Sequence, residues 1–142
     1  MGTQFVVQVD DRPGALSHLF HLLALRGINL QHVAGVSSGA GGRVVLTLSD
    51  DDAAREVLGG EGYTFSEGEP LVLRVRDEPG ALAEITDLLA RAGVNISSVL
   101  EVGRHGGWVD DAFTVDDLEK ARAAVAGSDA AQVGWRAGSR SR

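Results

Sequence analysis

Hydrophobic and polar positions alternate with a period of two at the start of the chain. Phe5, Val7 and Val9 share one phase, and Gln4, Val6 and Gln8 the other. The rhythm returns at Leu71, Leu73 and Val75 against Val72, Arg74 and Arg76. Such alternation predicts half-buried strands. After each, the period becomes helical: Leu16, Leu19, Phe20 and Leu23 form one stripe, and Leu82, Ile85, Thr86 and Leu89 its match. The stripes predict helices over 15–26 and 81–92, each ended by a C′ glycine, Gly27 or Gly93. Second strands are predicted at 28–36 and 94–102, Gly-rich connections at 37–42 and 103–107, and third strands at 43–48 and 108–115. Acidic residues 50–52 and 116–117 then cap second helices over 52–58 and 117–126, since carboxylates suit a positive helix N-terminus. Short last strands fall at 63–66 and 131–136.

The same pattern has therefore been read twice, and the residues repeat with it. DRPGALSHLFHLLALRGINLQHV (11–33) lies over DEPGALAEITDLLARAGVNISSV (77–99) without a gap, with 11 of 23 residues identical at a constant shift of 66. A period that long is a small domain rather than a solenoid unit. The order βαββαβ, twice, predicts an α+β protein of two ferredoxin-like units in tandem, antiparallel sheets with helices on one face. The expected domains are 1–67 and 70–136, with a linker near 67–70 and a flexible tail at 137–142.

Composition narrows the function. The 142 residues suffice for two small domains, and 44% hydrophobic content supports packed cores. No apolar run approaches the length of a membrane span. The net charge of −7 opposes nucleic acid or anionic lipid as partner, because phosphate binding needs a concentrated basic face. With no cysteine, disulfides and thiolate metal sites are excluded. The opening residues MGTQFVVQVD show no basic region or cleavage signal, so a cytoplasmic location is expected.

Chemistry concentrates in the duplicated turn. Proline fixes φ and lacks an N–H, which suits Pro13 and Pro79 to the first position of a helix. Gly14 and Gly80 permit close backbone approach. The N–H groups of Gly14, Ala15 and Leu16, and of Gly80, Ala81 and Leu82, then become unpaired first-turn donors suited to a carboxylate. Asp11 and Asp77 supply a counter-charge for an α-ammonium, and Asn29 and Asn95 an amide with both donors and acceptor. Together these groups fit the zwitterionic head of an amino acid. Arg12 and Glu78 occupy equivalent places, so the two copies differ in charge beside the turn. About 12 helical residues separate turn from Asn by roughly 18 Å, too far for one small ligand within a copy. Two copies about a two-fold axis would instead pair the turn at 11–16 with Asn95 and that at 77–82 with Asn29. A bland alternative makes the Asp, Pro-Gly and Asn residues ordinary turn and cap chemistry.

The D-x-P-G-A-L turn, followed 15 positions after its glycine by the Asn of G-[IV]-N-[LI], resembles the ACT domain family, and does so in both copies. The resemblance covers nearly the whole chain and leaves no catalytic domain over. It implies a free-standing, non-catalytic regulatory protein without cofactor, most simply a homodimer, that binds an amino acid or similar metabolite at domain interfaces. An amino-acid biosynthetic enzyme is the implied partner. Serine-sensing members carry a His two positions before the acidic residue, where this chain has Val9 and Val75. The rival reading is a scaffold that dimerises and regulates an enzyme without any ligand.

Other candidates are weaker. His18 and His21 are expected on a solvated helix face, and His32 is a possible ligand contact near Asn29. Asp110 and Asp111 interrupt the strand at 108–115; either Asp111 turns inward with Phe113, or the strand begins later, which is the preferred reading. Leu22 and Leu88 are read as helix contacts between domains, and Trp135 as packing on the last strand. No nucleophile–base pair is apparent, the few histidines are not duplicated, and the aromatics and basic surround of an RNA-binding sheet are missing.

Overall fold

The computed structural model describes residues 2–133, which divide into two compact units, Gly2–Gly68 and residues 69–133. The first runs β1 (Gln4–Val9), α1 (Ala15–Leu25), β2 (Leu30–Ser37), β3 (Gly42–Leu48), α2 (Asp51–Gly60) and β4 (Phe65–Gly68). The second repeats this as β5 (Leu71–Arg76), α3 (Ala81–Arg91), β6 (Ile96–His105), β7 (Trp108–Val115), α4 (Leu118–Val125) and β8 (Ala131–Val133). Each unit is a four-stranded antiparallel sheet, ordered β2-β3-β1-β4 or β6-β7-β5-β8, with its helices on one face: the ferredoxin-like βαββαβ topology. The predicted end of the last strand at 134–136, Trp135 and the tail at 137–142 lie outside the described residues.

Alternation places Phe5, Val7, Val44 and Leu46 on the helix-facing side of the first sheet, where they pack against Leu19, Leu23 and Leu58. Leu71, Leu73 and Phe113 do the same against Ile85, Leu89 and Ala121 in the second. Leu22 and Leu88 pack, half-buried, on the core of their own unit. Asp50 caps α2 by accepting from the Ala53 N–H at 3.0 Å, and Asp117 caps α4 through Lys120 N–H at the same distance. Among the described residues, no helix is long and apolar enough to cross a membrane.

Several boundaries differ from the sequence reading. Leu16 and Leu82 are 41% and 42% exposed rather than buried. The helices begin at Ala15 and Ala81 as expected, but the buried stripe runs Ala15, Leu19, Leu23 and Ala81, Ile85, Leu89 at four-residue spacing, one position round from the first-turn leucines, which point aside. Phe20 and Thr86 are half-buried. Strand β4 starts two residues late and absorbs part of the predicted linker. Strand β6 continues to His105, so the connection predicted at 103–107 shrinks to Gly106 and Gly107, whose φ of 54° and 80° suit a two-residue hairpin.

The largest correction concerns Asp110 and Asp111. The strand does not begin after them: both lie within β7 and are 1% and 7% exposed. Register makes the units comparable position by position. Val7 faces Val44, and Leu73 faces Asp111, so Asp111 stands where the first unit has a core valine. Gln8 faces Arg43 while Arg74 faces Asp110. Asp110 is held by the Arg74 guanidinium at 2.9 Å, and its other oxygen lies so close to Gly103 that a Cβ there would meet it at 2.9 Å.

Candidate functional site

At the end of β1 the chain closes a type II turn. The Ala15 N–H donates to the Arg12 carbonyl at 3.3 Å, with Pro13 second and Gly14 third at φ 86°, ψ −13°. The second unit repeats it: Ala81 to Glu78 at 3.3 Å, with Gly80 at φ 87°, ψ −13°. A type II turn requires positive φ at its third position, which is why glycine follows proline. Pro13 and Pro79 therefore belong to the turn and not to the first helical position. The N–H groups of Ala15 and Ala81, expected to be free donors, are engaged by the turn. The first helical bonds run from His18 to Gly14 at 2.9 Å and from Glu84 to Gly80 at 3.0 Å. Leu16 and Ser17, and likewise Leu82 and Ala83, consequently have N–H groups without intrahelical acceptors. No side chain caps either helix, so Asp11 and Asp77 are not the capping residues of the bland reading.

Asn29 and Asn95 sit at the far end of α1 and α3, just before β2 and β6. Their backbones are pinned: Asn29 N–H donates to Ser49 Oγ at 2.8 Å, and Asn95 N–H to Asp116 Oδ1 at 3.0 Å. Both residues are exposed. An 11-residue helix separates each from the turn of its own unit, roughly 16 Å. Within a unit, then, the structure groups Asp11, Arg12, Pro13, Gly14, Ala15 and Leu16 at one end and leaves Asn29 at the other. Asp77, Glu78, Pro79, Gly80, Ala81 and Leu82 are separated from Asn95 in the same way.

The two turns differ in their surroundings. Both aspartates are exposed, but among the described residues no cation pairs with Asp11; Arg12 leans instead towards Asp10 at 3.4 Å. Asp77 accepts a hydrogen bond from Nη1 of Arg104, and its backbone N–H donates to the Gly107 carbonyl at 2.9 Å. Arg104 also grips Glu101 with Nε at 3.0 Å and Nη2 at 3.3 Å. The carboxylates of Glu101 and Asp77 hold the guanidinium pKa above its ordinary value. Asp111, opposite Glu101 in the register, has its pKa pushed up to about 6, first by burial, then by the charges of Glu101 and Asp110, against the lowering influence of Arg104.

Sequence reasoning missed Glu101 and Arg104. Both lay in or beside a stretch read as an irregular Gly-rich connection. The Gly-Gly pair between His105 and Trp108 was the available signal, since two glycines between strands mark a tight hairpin and would have extended β6 across Arg104. His32 has its Nδ1 engaged, 2.7 Å from Thr47 Oγ1, the counterpart of the 2.7 Å Ser98–Thr114 bond. His18 and His21 are exposed on α1.

The first unit also carries a cleft of about 750 Å³ between the end of β1, the β2–β3 connection and the loop before β4. Its polar lining includes Asp10, Arg43, Glu61 and Tyr63. Tyr63 has its pKa raised by burial and by Glu61. The residues of the 11–16 turn do not line this cleft.

A family model described as "ACT domain" matches residues 3–58 and again 71–126. The chain belongs to the ACT domain family, with two copies in tandem. No curated protein sequence matches it. Among solved structures, it is similar to a protein from Bacteroides thetaiotaomicron, with a TM-score of 0.71 and 19% identity over 87% of this chain and 85% of that one. The ligand-free regulatory subunit of aspartate kinase from Thermus thermophilus gives a TM-score of 0.60 at 20% identity, with 86% of each chain covered. The corresponding subunit from Thermus flavus gives 0.59 at 18%, covering 87% of this chain and 89% of that one. At these identities the likeness is one of fold.

Proposed function

We propose that this chain is a non-catalytic regulatory protein that binds a free amino acid, or a metabolite with the same zwitterionic head. One observation carries the reading. A type II Pro-Gly turn presents helix N–H donors beside an aspartate, in duplicate, within an ACT domain chain. The N–H groups of Leu16 and Ser17 would receive the ligand carboxylate, as a helix N-terminus does for anions. Asp11 would receive its ammonium. An exposed Asn amide from another copy would complete the site, because the Asn of the same unit is a helix length away. That arrangement asks for a two-fold pairing, either of the units or of two chains, and a homodimer is the simplest form. Occupancy would favour one packing of the copies over another and so signal to a partner, for which an amino-acid biosynthetic enzyme is the natural class. Aspartate kinase regulatory subunits share the fold and lend this partner class support.

A thermal-shift screen against the twenty proteinogenic amino acids tests the reading. A ligand at one hundred times its dissociation constant stabilises the folded state by about 2.7 kcal/mol, a shift readily seen in units of this size. Stabilisation by one or a few amino acids, lost in Asp11→Ala, is the expected result. No shift with any of them would refute it and leave the ligand-independent scaffold ahead.

A further inference from the structure

The two units share a turn to within a degree or so, yet differ in what lies over it. In the second unit, Arg104 reaches from β6 to the Asp77 carboxylate and is held there by two bonds to Glu101. The backbone closes as well, through the 2.9 Å bond from Asp77 N–H to Gly107. Strand register gives the counterparts in the first unit. Glu101 faces Asp111 as Gly35 faces Val44, and Arg104 faces Val109 as Ser37 faces Gly42. Each member of the charged cluster around Asp77 is thus replaced near Asp11 by a small or apolar residue: Arg by Ser, Glu by Gly, Asp by Val. Among the described residues, no backbone bond ties Asp11 N–H to the β2–β3 connection.

A guanidinium hydrogen-bonded to a carboxylate presents the same charge and donors as a ligand ammonium would. We propose that Arg104 is a built-in occupant of the second turn, and that the first unit, where no such cation pairs with Asp11 among the described residues, is the copy that accepts the ligand. The inference rests on the amino-acid reading above and says which of the two turns serves it. The duplication has then been divided between a sensing copy and a closed one. Occupancy is one ligand per chain, and selectivity is set by what surrounds Asp11 alone.

Calorimetric titration with each of the twenty proteinogenic amino acids, on wild type and two variants, tests the assignment. Arg104→Ser removes the occupant. Ser37→Arg with Gly35→Glu installs the cluster over Asp11; a Cβ at Gly35 would meet its neighbours only at 3.8 and 3.9 Å, ordinary van der Waals contact. The expected stoichiometry is one per chain in wild type, two in Arg104→Ser and none in the doubly substituted protein. Asp11→Ala should abolish wild-type binding and Asp77→Ala leave it intact. Two sites in wild type, or binding lost in Asp77→Ala but not in Asp11→Ala, would overturn the assignment while leaving the amino-acid reading standing. If neither wild type nor Arg104→Ser binds any amino acid, the parent reading fails, and amide hydrogen exchange decides the closure itself. The Asp77 N–H, bonded to Gly107, should exchange more slowly than that of Asp11; equal rates in wild type would overturn it.

Discussion

Replacing Asp111 by Asn should stabilise the protein at neutral and alkaline pH and do little in acid. Asp111 occupies the helix-facing register position that Val44 holds in the first unit, between Leu73 and Glu101 on the flanking strands. Burial, with the charges of Glu101 and Asp110, lifts its pKa from 3.8 to about 6, Arg104 opposing. The folded state therefore binds the proton more tightly than the unfolded one. Between those two values the folded chain carries more protons, and stability rises as pH falls. Above the folded pKa the carboxylate is ionised in both states and the full penalty persists; below 3.8 it is neutral in both and the penalty is gone. The shift corresponds to about 3 kcal/mol at face value. Relaxation of the surroundings, which keeps the effective dielectric constant well above that of a dry interior, reduces that to ~1–2 kcal/mol. Urea denaturation of wild type and Asp111→Asn, at about pH 8 and at about pH 4, isolates this group from the other carboxylates, because only the difference between the proteins is read. The variant should be more stable by ~1–2 kcal/mol at the higher pH, with the gap closing at the lower. A gap independent of pH, or a variant less stable at pH 8, would refute the reasoning. Asp111→Val should reproduce the gain at high pH and retain part of it in acid, since valine also restores apolar packing.

Three further outcomes follow from the same geometry. Gly14→Ala and Gly80→Ala should each cost ~1–2 kcal/mol by chemical denaturation, because both hold left-handed φ while a Cβ would meet nothing within 4 Å; a much larger cost would mean a clash that the turn does not contain. Asp50→Ala and Asp117→Ala should each lose about 1 kcal/mol through the missing cap, and unchanged midpoints would show that the caps contribute nothing. Asn29→Ala and Asn95→Ala should leave stability within about 0.5 kcal/mol, their backbone bonds to Ser49 and Asp116 being untouched, while at least one of them weakens amino-acid binding; a large loss of stability would make these residues structural.

Much of this was legible in the sequence, for identifiable reasons. Phe5 and Val7, or Leu71 and Leu73, alternate cleanly because one face of their sheet is buried, and the stripe of α3 is clear for the same reason. The turn residues were visible because two copies repeat them. What periodicity could not give was set by local hydrogen bonding or by neighbours distant in sequence. Leu16 obeys the helical period, yet the buried face of the helix is centred on Ala15, Leu19 and Leu23, which leaves Leu16 at its margin. Asp111 breaks the hydrophobic pattern of its strand, and only the register with Leu73 and Glu101 shows that the chain tolerates a carboxylate in a core position. Arg104 escaped notice because its importance lies in a contact to Asp77, 27 residues away in the chain. At the two turns, the charge difference of Arg12 against Glu78 was readable, but the Arg104–Glu101 cluster on Asp77 was not.

The measurement that bears most directly on the account is a titration of the isotopically labelled protein with an amino acid that stabilises it, followed through backbone and Asn side-chain amide resonances. The account predicts that Gly14, Leu16 and Ser17 move together with the side-chain amide of an Asn, while Leu82 and Ala83 stay in place. Resonance changes confined to the cleft lined by Arg43 and Tyr63, or equal changes at both turns, would contradict it.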